Sequence, residues 1–421
     1  MLRISAPTMG QIVFILVIWI LIEVYSLTGI RRVLEPGKVQ TWIFRIALLG
    51  ALLFLVGFLV SVGSSSEDAP PRGHPIRSPL IGLGMSFMLL KTVFCTFLAV
   101  NDIILAPFRI VNLFKTDSGG DGPASSRSRR YFLGRVGLGL AGLQLPAFVH
   151  GVTKGKYLFK VHRVQLASAD LPEAFDGFTI AQISDIHSGS FDNKSAIQGG
   201  LERIVDEKPD MILFTGDLVN AVSEEILPYI DMFRDTLRAP FGKFSSLGNH
   251  DYPTYGDWAT DKEGEADHQK LRSYHADMDL ELLANRGVRI EKDGDSIFLA
   301  GVENWGLHFI KAGDLNQALK DARPDDFTVL MSHDPSHWEA QILDHPQTIH
   351  LTLSGHTHGA QMGVEVPGIR WSPSQFFYKQ WAGLYQKGKQ ALYVNRGFGF
   401  IGFPGRVGIW PEITLIELVR E

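Results

Sequence analysis

One cysteine, Cys95, stands alone among 421 residues, inside the apolar run Phe94 to Val100. Without a second thiol the chain cannot close an internal disulfide, and a cysteine-based zinc site is excluded. Charge is also scarce: Asp, Glu, Lys and Arg make up 20% of residues against 45% hydrophobic, which rules out a disordered chain. Nor is there an excess of base. The net charge is −5, and it divides unevenly, into +7 over residues 1–135 and −12 over the remainder. That distribution lacks the basic footprint of a nucleic-acid binder, so no nucleic-acid partner is expected. An apolar, basic first third and an ordinary, acidic remainder indicate a membrane part joined to a soluble part.

Long apolar runs are what the first third does have. Gln11 to Ile30, Trp42 to Val62 and Pro79 to Val100 each meet the roughly 20 residues that a helix needs to cross the hydrocarbon core. The third continues through Ile103 to Phe114, interrupted by Asp102, Pro107 and Arg109, and reads as an interfacial tail. A fourth, Gly-rich stretch, Val136 to Val152, is near the lower length limit. The Gly/Ser-rich Asp117 to Ser128 between them reads as a polar loop.

Basic residues set the orientation. The loop after the first span and its edge carry Arg31, Arg32, Lys38 and Arg45; the second carries Arg72 and Arg77; the third carries Arg109, Lys115, Arg127, Arg129, Arg130 and Arg135. High, low and high place the first and third loops in the cytoplasm and the N-terminus outside. If the fourth stretch crosses, everything beyond it is outside as well, against the weaker opposing signal of Lys154, Lys156 and Lys160. The expected topology is multi-pass, with the soluble part on the outer side of the membrane.

Ser128-Arg129-Arg130-Tyr131-Phe132-Leu133 resembles a twin-arginine export signal placed inside the chain, which would make the twin-arginine machinery a partner. The same arginines fit equally as positive-inside anchors. No small-x-small cleavage site is evident near Leu145 to Val152, so an uncleaved anchor is expected. Lys91 and Glu23 lie within spans, where charge is costly; pairing in the bundle or reaching the interface would satisfy them without a chemical role.

The expected division is therefore a transmembrane region over residues 1–152 and a soluble domain over 153–421. In the second part, strand patterns alternate with helix-length ones. Tyr157 to Leu166, Phe178 to Ser184, Met211 to Thr215 and Lys243 to Leu247 read as strands, with helices over Ser195 to Glu207 and Glu224 to Leu237. Ser296 to Val302, Phe327 to Met331, Ile349 to Leu353, Ala391 to Val394 and Ile413 to Glu417 continue the strand pattern. The fold class is α/β, a sheet-based core flanked by helices. Tyr252 to Asp279 is a polar insertion that fits a helical cap or a solvated surface segment.

Five polar motifs follow strand patterns: Asp185-Ile186-His187, Gly216-Asp217, Gly248-Asn249-His250-Asp251, Ser332-His333-Asp334 and Gly355-His356-Thr357-His358. Asp185, Asp217 and Asn249 are each 32 residues apart, about one βαβ unit, so successive units deliver them to one sheet edge. Carboxylates, an amide and imidazoles without thiolate suit Mn, Fe or Zn. There are more donors than one ion needs, whereas two ions sharing a carboxylate would use them all, activate a water and neutralise phosphate oxygens.

These motifs resemble those of the calcineurin-like metallophosphoesterases, over roughly residues 160 to 421 and with all five in order. The resemblance implies a metallophosphoesterase-type β-sandwich flanked by helices and a two-metal centre. It implies that Asp185, His187 and His358 bind the first ion, that Asp217 bridges, and that Asn249, His333 and His356 bind the second. His250 would contact phosphate and protonate the leaving oxygen. His74, His150, His162, His308, His345 and His350 keep ordinary structural readings.

Gly355 to Gln361, Asn395-Arg396-Gly397 and Trp410 to Ile413 further resemble the membrane-associated bacterial branch, with Gly359-Ala360 departing from a commoner Gly-Gly. Arg396 fits a phosphate contact or a structural ion pair. Trp371 to Trp381 and Phe398 to Phe403 fit an acyl pocket or the core. The resemblance implies a membrane-anchored phosphodiesterase of a bacterial inner membrane, its catalytic domain on the periplasmic or extracellular side, cleaving a lipid or envelope phosphodiester or pyrophosphate. The alternatives are UDP-2,3-diacylglucosamine hydrolysis in lipid A synthesis, or a receptor or transport protein with an accessory esterase domain.

Overall fold

A computed structural model describes residues 9–62, 76–113 and 124–421. The chain divides into two compact units, one built on four long helices and one comprising residues 154–421.

The helices are α1 (Met9–Val33), α2 (Lys38–Val62), α3 (Arg77–Leu113) and α4 (Ala124–Thr153). Within them lie apolar segments of 22, 24, 28 and 23 residues, Ile12–Val33, Lys38–Ser61, Arg77–Ile104 and Tyr131–Thr153. At a rise of 1.5 Å per residue each spans at least about 33 Å, enough to cross the hydrocarbon core. Their polarity is inverted relative to a soluble bundle: Phe14, Leu21 and Val24 are exposed while Glu23 and Lys91 are buried. Lys91 Nζ donates to both Glu23 oxygens (2.6 and 2.7 Å) and to the Ala47 carbonyl (2.8 Å), joining α3 to α1 and α2. The intramembrane charges therefore satisfy each other inside the bundle. A Cβ on Gly84 would fall 2.8 Å from Phe54 Cα, and one on Gly57 3.2 Å from Ile81 Cα, so α2 and α3 meet backbone to backbone.

The third span continues as helix through Asp102 and Pro107 to Leu113. Helix α4 begins at Ala124, so the last five residues of the expected Asp117 to Ser128 loop are helical, and Arg129 and Arg130 lie within α4 just ahead of the span at Tyr131. The rest of that loop, with Arg72, His74 and Lys115, lies outside the described residues.

The second unit contributes β1 (Lys160–Ser168), β2 (Thr179–Ile183), β3 (Met211–Thr215), β4 (Lys243–Ser246), β5 (Glu281–Leu282), β6 (Arg286–Lys292) and β7 (Asp295–Gly301). It continues with β8 (Thr328–Met331), β9 (Leu351–Ser354), β10 (Val364–Val366), β11 (Ile369–Trp371), β12 (Gly383–Lys387), β13 (Gln390–Val394) and β14 (Glu412–Arg420). Two six-stranded sheets form, β1-β14-β2-β3-β4-β5 and β12-β13-β9-β8-β7-β6, while β10 and β11 make a separate hairpin.

Period-two alternation explains the layering. Met211 and Leu213 of β3 face Val329 and Met331 of β8 and Leu351 and Leu353 of β9 in one core between the sheets. The intervening Ile212 and Phe214 join a second core with Ile197, Leu201 and Ile204 of α5 (Lys194–Asp206), Phe233 of α6 (Ile230–Thr236) and Leu271 of α7 (Asp261–Asp277). Leu330, Leu392 and Val394 point the other way, against Leu315 and Ala318 of α8 (Leu315–Ala318) and Trp338. Central strands are thus buried on both faces, as in a sandwich covered by helices.

Residues 224–237 do not form one α-helix. Pro228 lies in a 3-10 segment, Ser223–Tyr229, and α6 follows it, since proline lacks the N–H that an interior helical position donates. The insertion at 252–279 does contain a helix, α7, and it is pinned to the body rather than solvated all round. Asp267 accepts from the Ser223 amide (3.0 Å), and His268 Nδ1 lies 2.7 Å from the Asp251 carbonyl. Strands β2, β3 and β4 run parallel, as do β7, β8 and β9, so each sheet presents its carboxyl ends together.

Candidate metal centre

Every motif follows directly on one of those carboxyl ends: Asp185 after β2, Asp217 after β3, Asn249 after β4, His333 after β8, and His356 and His358 after β9. The chain must turn sharply there to aim side chains across the edge. Asp185, His187, Asp217, His356 and His358 all adopt positive φ, between 47° and 69°. Left-handed backbone is uncommon for non-glycine residues, and it gathers at functional sites where surrounding packing enforces it. Gly216, at φ 94°, turns tightly enough that a Cβ would fall 2.4 Å from the Gly248 amide nitrogen, so two of the loops touch through backbone. Ala360 occupies left-handed backbone too (φ 50°), so the departure from Gly-Gly costs roughly 1 kcal/mol of backbone strain and no donor atom.

The polar atoms converge in two groups able to hold a metal ion, Asp185, His187 and His358, and Asp217, His333 and His356. In the first, His358 Nε2 is 3.2 Å from Asp185 Oδ1 and 3.1 Å from His187 Nε2. In the second, His333 Nε2 is 3.2 Å from Asp217 Oδ2 and 3.3 Å from His356 Nδ1. Asp217 Oδ2 also lies 3.5 Å from His187 Nε2, so one carboxylate oxygen faces both groups. Its other oxygen accepts from the His250 amide (2.8 Å), which fixes the direction of the first.

The surrounding hydrogen bonds orient these donors for a cation. His187 Nδ1 lies 3.1 Å from the Val219 carbonyl and His333 Nδ1 2.7 Å from the Thr215 carbonyl. A carbonyl only accepts, so both rings carry their proton on Nδ1 and turn Nε2 inwards. Asn249 donates from Nδ2 to Tyr255 Oη (2.7 Å), while its buried Oδ1 has no hydrogen-bond partner among the described residues. An orphaned buried acceptor beside buried carboxylates and inward-facing imidazole nitrogens is a donor set that fits divalent ions.

His250 belongs to neither group. Its Nδ1 lies 2.7 Å from the Asn220 carbonyl, and its ring stacks on Tyr255 with centroids 3.9 Å apart. Burial lowers its pKa, with Asp217 pulling the other way.

Several residues outside the donor set organise the site. Asp251 accepts from the amides of Asp217 (2.9 Å), Leu218 (2.7 Å) and Gly248 (2.8 Å), tying the second and third loops together. Buried Arg406 donates to the carbonyls of Gly397 and Gly399, and its Nη2 lies 3.3 Å from His358 Nδ1. Tyr378 Oη meets His356 Nε2 at 2.8 Å. Arg396 is not at the site: it is buried in ion pairs with Glu412 (2.6 Å) and Glu365 (2.5 Å). Helix α7 and the turn after Asp251 border an open cleft of about 970 Å³, lined by Tyr252, Trp258, His268, Arg272 and Glu303.

Protons and cations compete for this cluster. Against burial, which favours the neutral ring, Asp217 and then Asp185 raise the His333 pKa to about 10. Burial likewise opposes ionisation of Asp217, but His333 and His250 outweigh it and hold that carboxyl well below its usual range. A metal ion needs the neutral imidazole, so loading the second group must expel the His333 proton. That proton is retained up to about pH 10, so metal affinity rises with pH throughout the neutral range. Mn affinity should tighten about tenfold per pH unit between roughly pH 6 and 8, with about one proton released per chain at this group. Calorimetric titration in two buffers of different protonation enthalpy measures both. Affinity independent of pH would remove His333 from the ligand set.

Residues 178–360 match the family described as Calcineurin-like phosphoesterase, and residues 9–156 match its companion described as Probable Calcineurin-like phosphoesterase, transmembrane domain. Among curated relatives, Uncharacterized metallophosphoesterase YkuE of Bacillus subtilis is 29% identical, over 69% of this chain and 97% of that protein. Transmembrane protein with metallophosphoesterase domain of Danio rerio is 28% identical, over 64% of this chain and 60% of that protein. UDP-2,3-diacylglucosamine pyrophosphatase LpxG of Chlamydia trachomatis is 26% identical, over 62% of this chain and 90% of that protein. With residues 9–156 and 178–360 together matching the family and its transmembrane companion, and with four apolar helices and two candidate metal-binding groups, the chain belongs to the calcineurin-like metallophosphoesterase family as a membrane-linked, metal-dependent phosphoester hydrolase.

Proposed function

We propose that the chain is a two-metal phosphodiesterase that hydrolyses a lipid or envelope phosphodiester or pyrophosphate at the outer face of a bacterial inner membrane. The observation that carries this reading is the single Asp217 oxygen facing both ligand groups. Asp185, His187 and His358 would hold one ion, Asn249, His333 and His356 the other, with Asp217 shared. Two ions, Mn, Fe or Zn, would activate water and neutralise phosphate charge. The chain's own residues then do the rest: Asp251 and Arg406 keep the loops in register, and His250, its Nδ1 held by the Asn220 carbonyl, would act in its cationic form and give the proton at Nε2 to the leaving oxygen. Hydrolysis rates of the purified, Mn-loaded full chain on an aryl phosphodiester, a phospholipid diester and a nucleotide sugar test this directly. Turnover of the aryl diester with a preference for the lipid diester is expected, and turnover confined to monoesters would refute it.

The relative named for UDP-2,3-diacylglucosamine favours a second reading, hydrolysis of that pyrophosphate, which needs a cytoplasmic site. Reporter fusions after Tyr157 separate the two. The arginine-rich third loop supports an external signal, and a cytoplasmic signal would favour the second reading. With an external site, Arg129 and Arg130 lie on the cytoplasmic side of the fourth span, where they fit positive-inside anchors or a signal for the twin-arginine machinery.

A further inference from the structure

Nine large apolar side chains are exposed in residues 154–421, and six of them fall between Val364 and Phe377. Four belong to the β10–β11 hairpin. Its register pairs Val364 with Trp371 and Val366 with Ile369, with Glu365 opposite Arg370 between them. Cross-strand partners share a face, so the four apolar residues lie on one side and the charged pair on the other. In water the apolar side should face the protein. Here it is reversed: Val364, Val366, Ile369 and Trp371 are 44–58% exposed. Glu365 turns inwards to Arg396 (2.5 Å), and the Arg370 guanidinium lies over the rings of Trp381 and Tyr385. Phe376 and Phe377, 73% and 83% exposed, extend the patch. It continues into the metal centre, because Tyr378 bonds His356.

A contiguous apolar patch of this kind marks a contact surface. The occupant is indicated by the rest of the chain, which carries four helices suited to a bilayer and so keeps this unit beside one. Glu365 pairs with Arg396 and Lys379 with Glu339 (3.1 Å), and Arg370 lies over aromatic rings on the side of the hairpin away from the apolar residues, so the apolar face offers an anionic headgroup little to recognise. We infer that the apolar face of the β10–β11 hairpin, with Phe376 and Phe377, docks into the headgroup–acyl boundary of the bilayer that the chain's helices span. Interfacial segments bury aromatic and aliphatic side chains at that depth. Docking there would bring the His356 side of the metal centre to lipid phosphates. The inference does not depend on which phosphoester is cleaved.

The test uses the full chain in phosphatidylcholine nanodiscs, with Cys95→Ser so that an introduced thiol is the sole label site. A polarity-sensitive fluorophore is placed at Phe377→Cys, at Ile369→Cys as a second position in the patch, and at Leu227→Cys, exposed elsewhere on the unit. Nitroxide near the top of the acyl chains should quench the first two labels by about half or more and Leu227 by about a tenth or less, unchanged in 1 M salt because apolar burial is not screened. Equal quenching at all three positions, or none at 377 and 369, overturns the inference. So does quenching lost in high salt. A label that becomes apolar without lipid quenching also overturns it, since a second copy or a protein partner would then cover the patch.

Discussion

Asp217→Asn should lower kcat/KM on an aryl phosphodiester by at least about 10³-fold, about 4 kcal/mol of transition-state stabilisation. The substitution keeps the shape of the side chain and leaves an oxygen to accept from the His250 amide. What it removes is the charge on the oxygen that faces both His187 and His333. Two cations held close together repel each other, and a shared carboxylate offsets that repulsion; an amide cannot do so and, with its oxygen accepting from the His250 amide, points its N–H donors at the ions. The variant should fold normally, because the loop is fixed by Asp251, which accepts from the Asp217 backbone amide and not from its side chain. It should also release fewer protons on metal loading, since Asp217 is the foremost group holding His333 charged. His356→Ala should abolish turnover similarly by removing a donor from the second group. Activity surviving in both variants would sink the two-metal mechanism.

His250→Ala separates metal binding from proton transfer. The ring stands outside both ligand groups, so both ions should remain bound while the rate falls roughly 10²- to 10⁴-fold, the range for loss of a positioned general acid. The loss should depend on the leaving group. A nitrophenolate departs without help, whereas an alkoxide needs its proton, so the deficit should be greater on an alkyl diester. The limb of the pH–rate profile that reports the acid should disappear as well. Loss of metal together with rate would make His250 a ligand, and equal losses on aryl and alkyl diesters would deny it the acid role.

The donor residues were legible because each follows a short apolar run that had to be a buried strand, and polar residues directly after such a run land at the sheet edge. Met211 to Thr215 shows the logic: its sequence predicts β3 with the observed bounds, and Gly216-Asp217 follows. The positioning residues were less legible because contact, and not pattern, defines them. Arg406 reaches His358 across 48 positions and Tyr378 reaches His356 across 22, and neither spacing has a period that a strand or helix imposes. Arg396 shows the same limit, since only the fold reveals that Glu412 and Glu365 enclose it. The aromatic segments divided: Phe398, Phe400 and Trp381 are core, whereas Phe376 and Phe377 are exposed. Composition cannot distinguish those cases, because the same side chains serve a protein interior and a lipid surface.

Metal content against turnover tests the central claim most directly. The purified full chain, stripped with a chelator and reloaded with Mn, should bind two ions per chain and hydrolyse an aryl phosphodiester only when both are present, with the rate tracking occupancy of the second site. Full turnover at one ion per chain, or turnover that survives complete chelation, would contradict it.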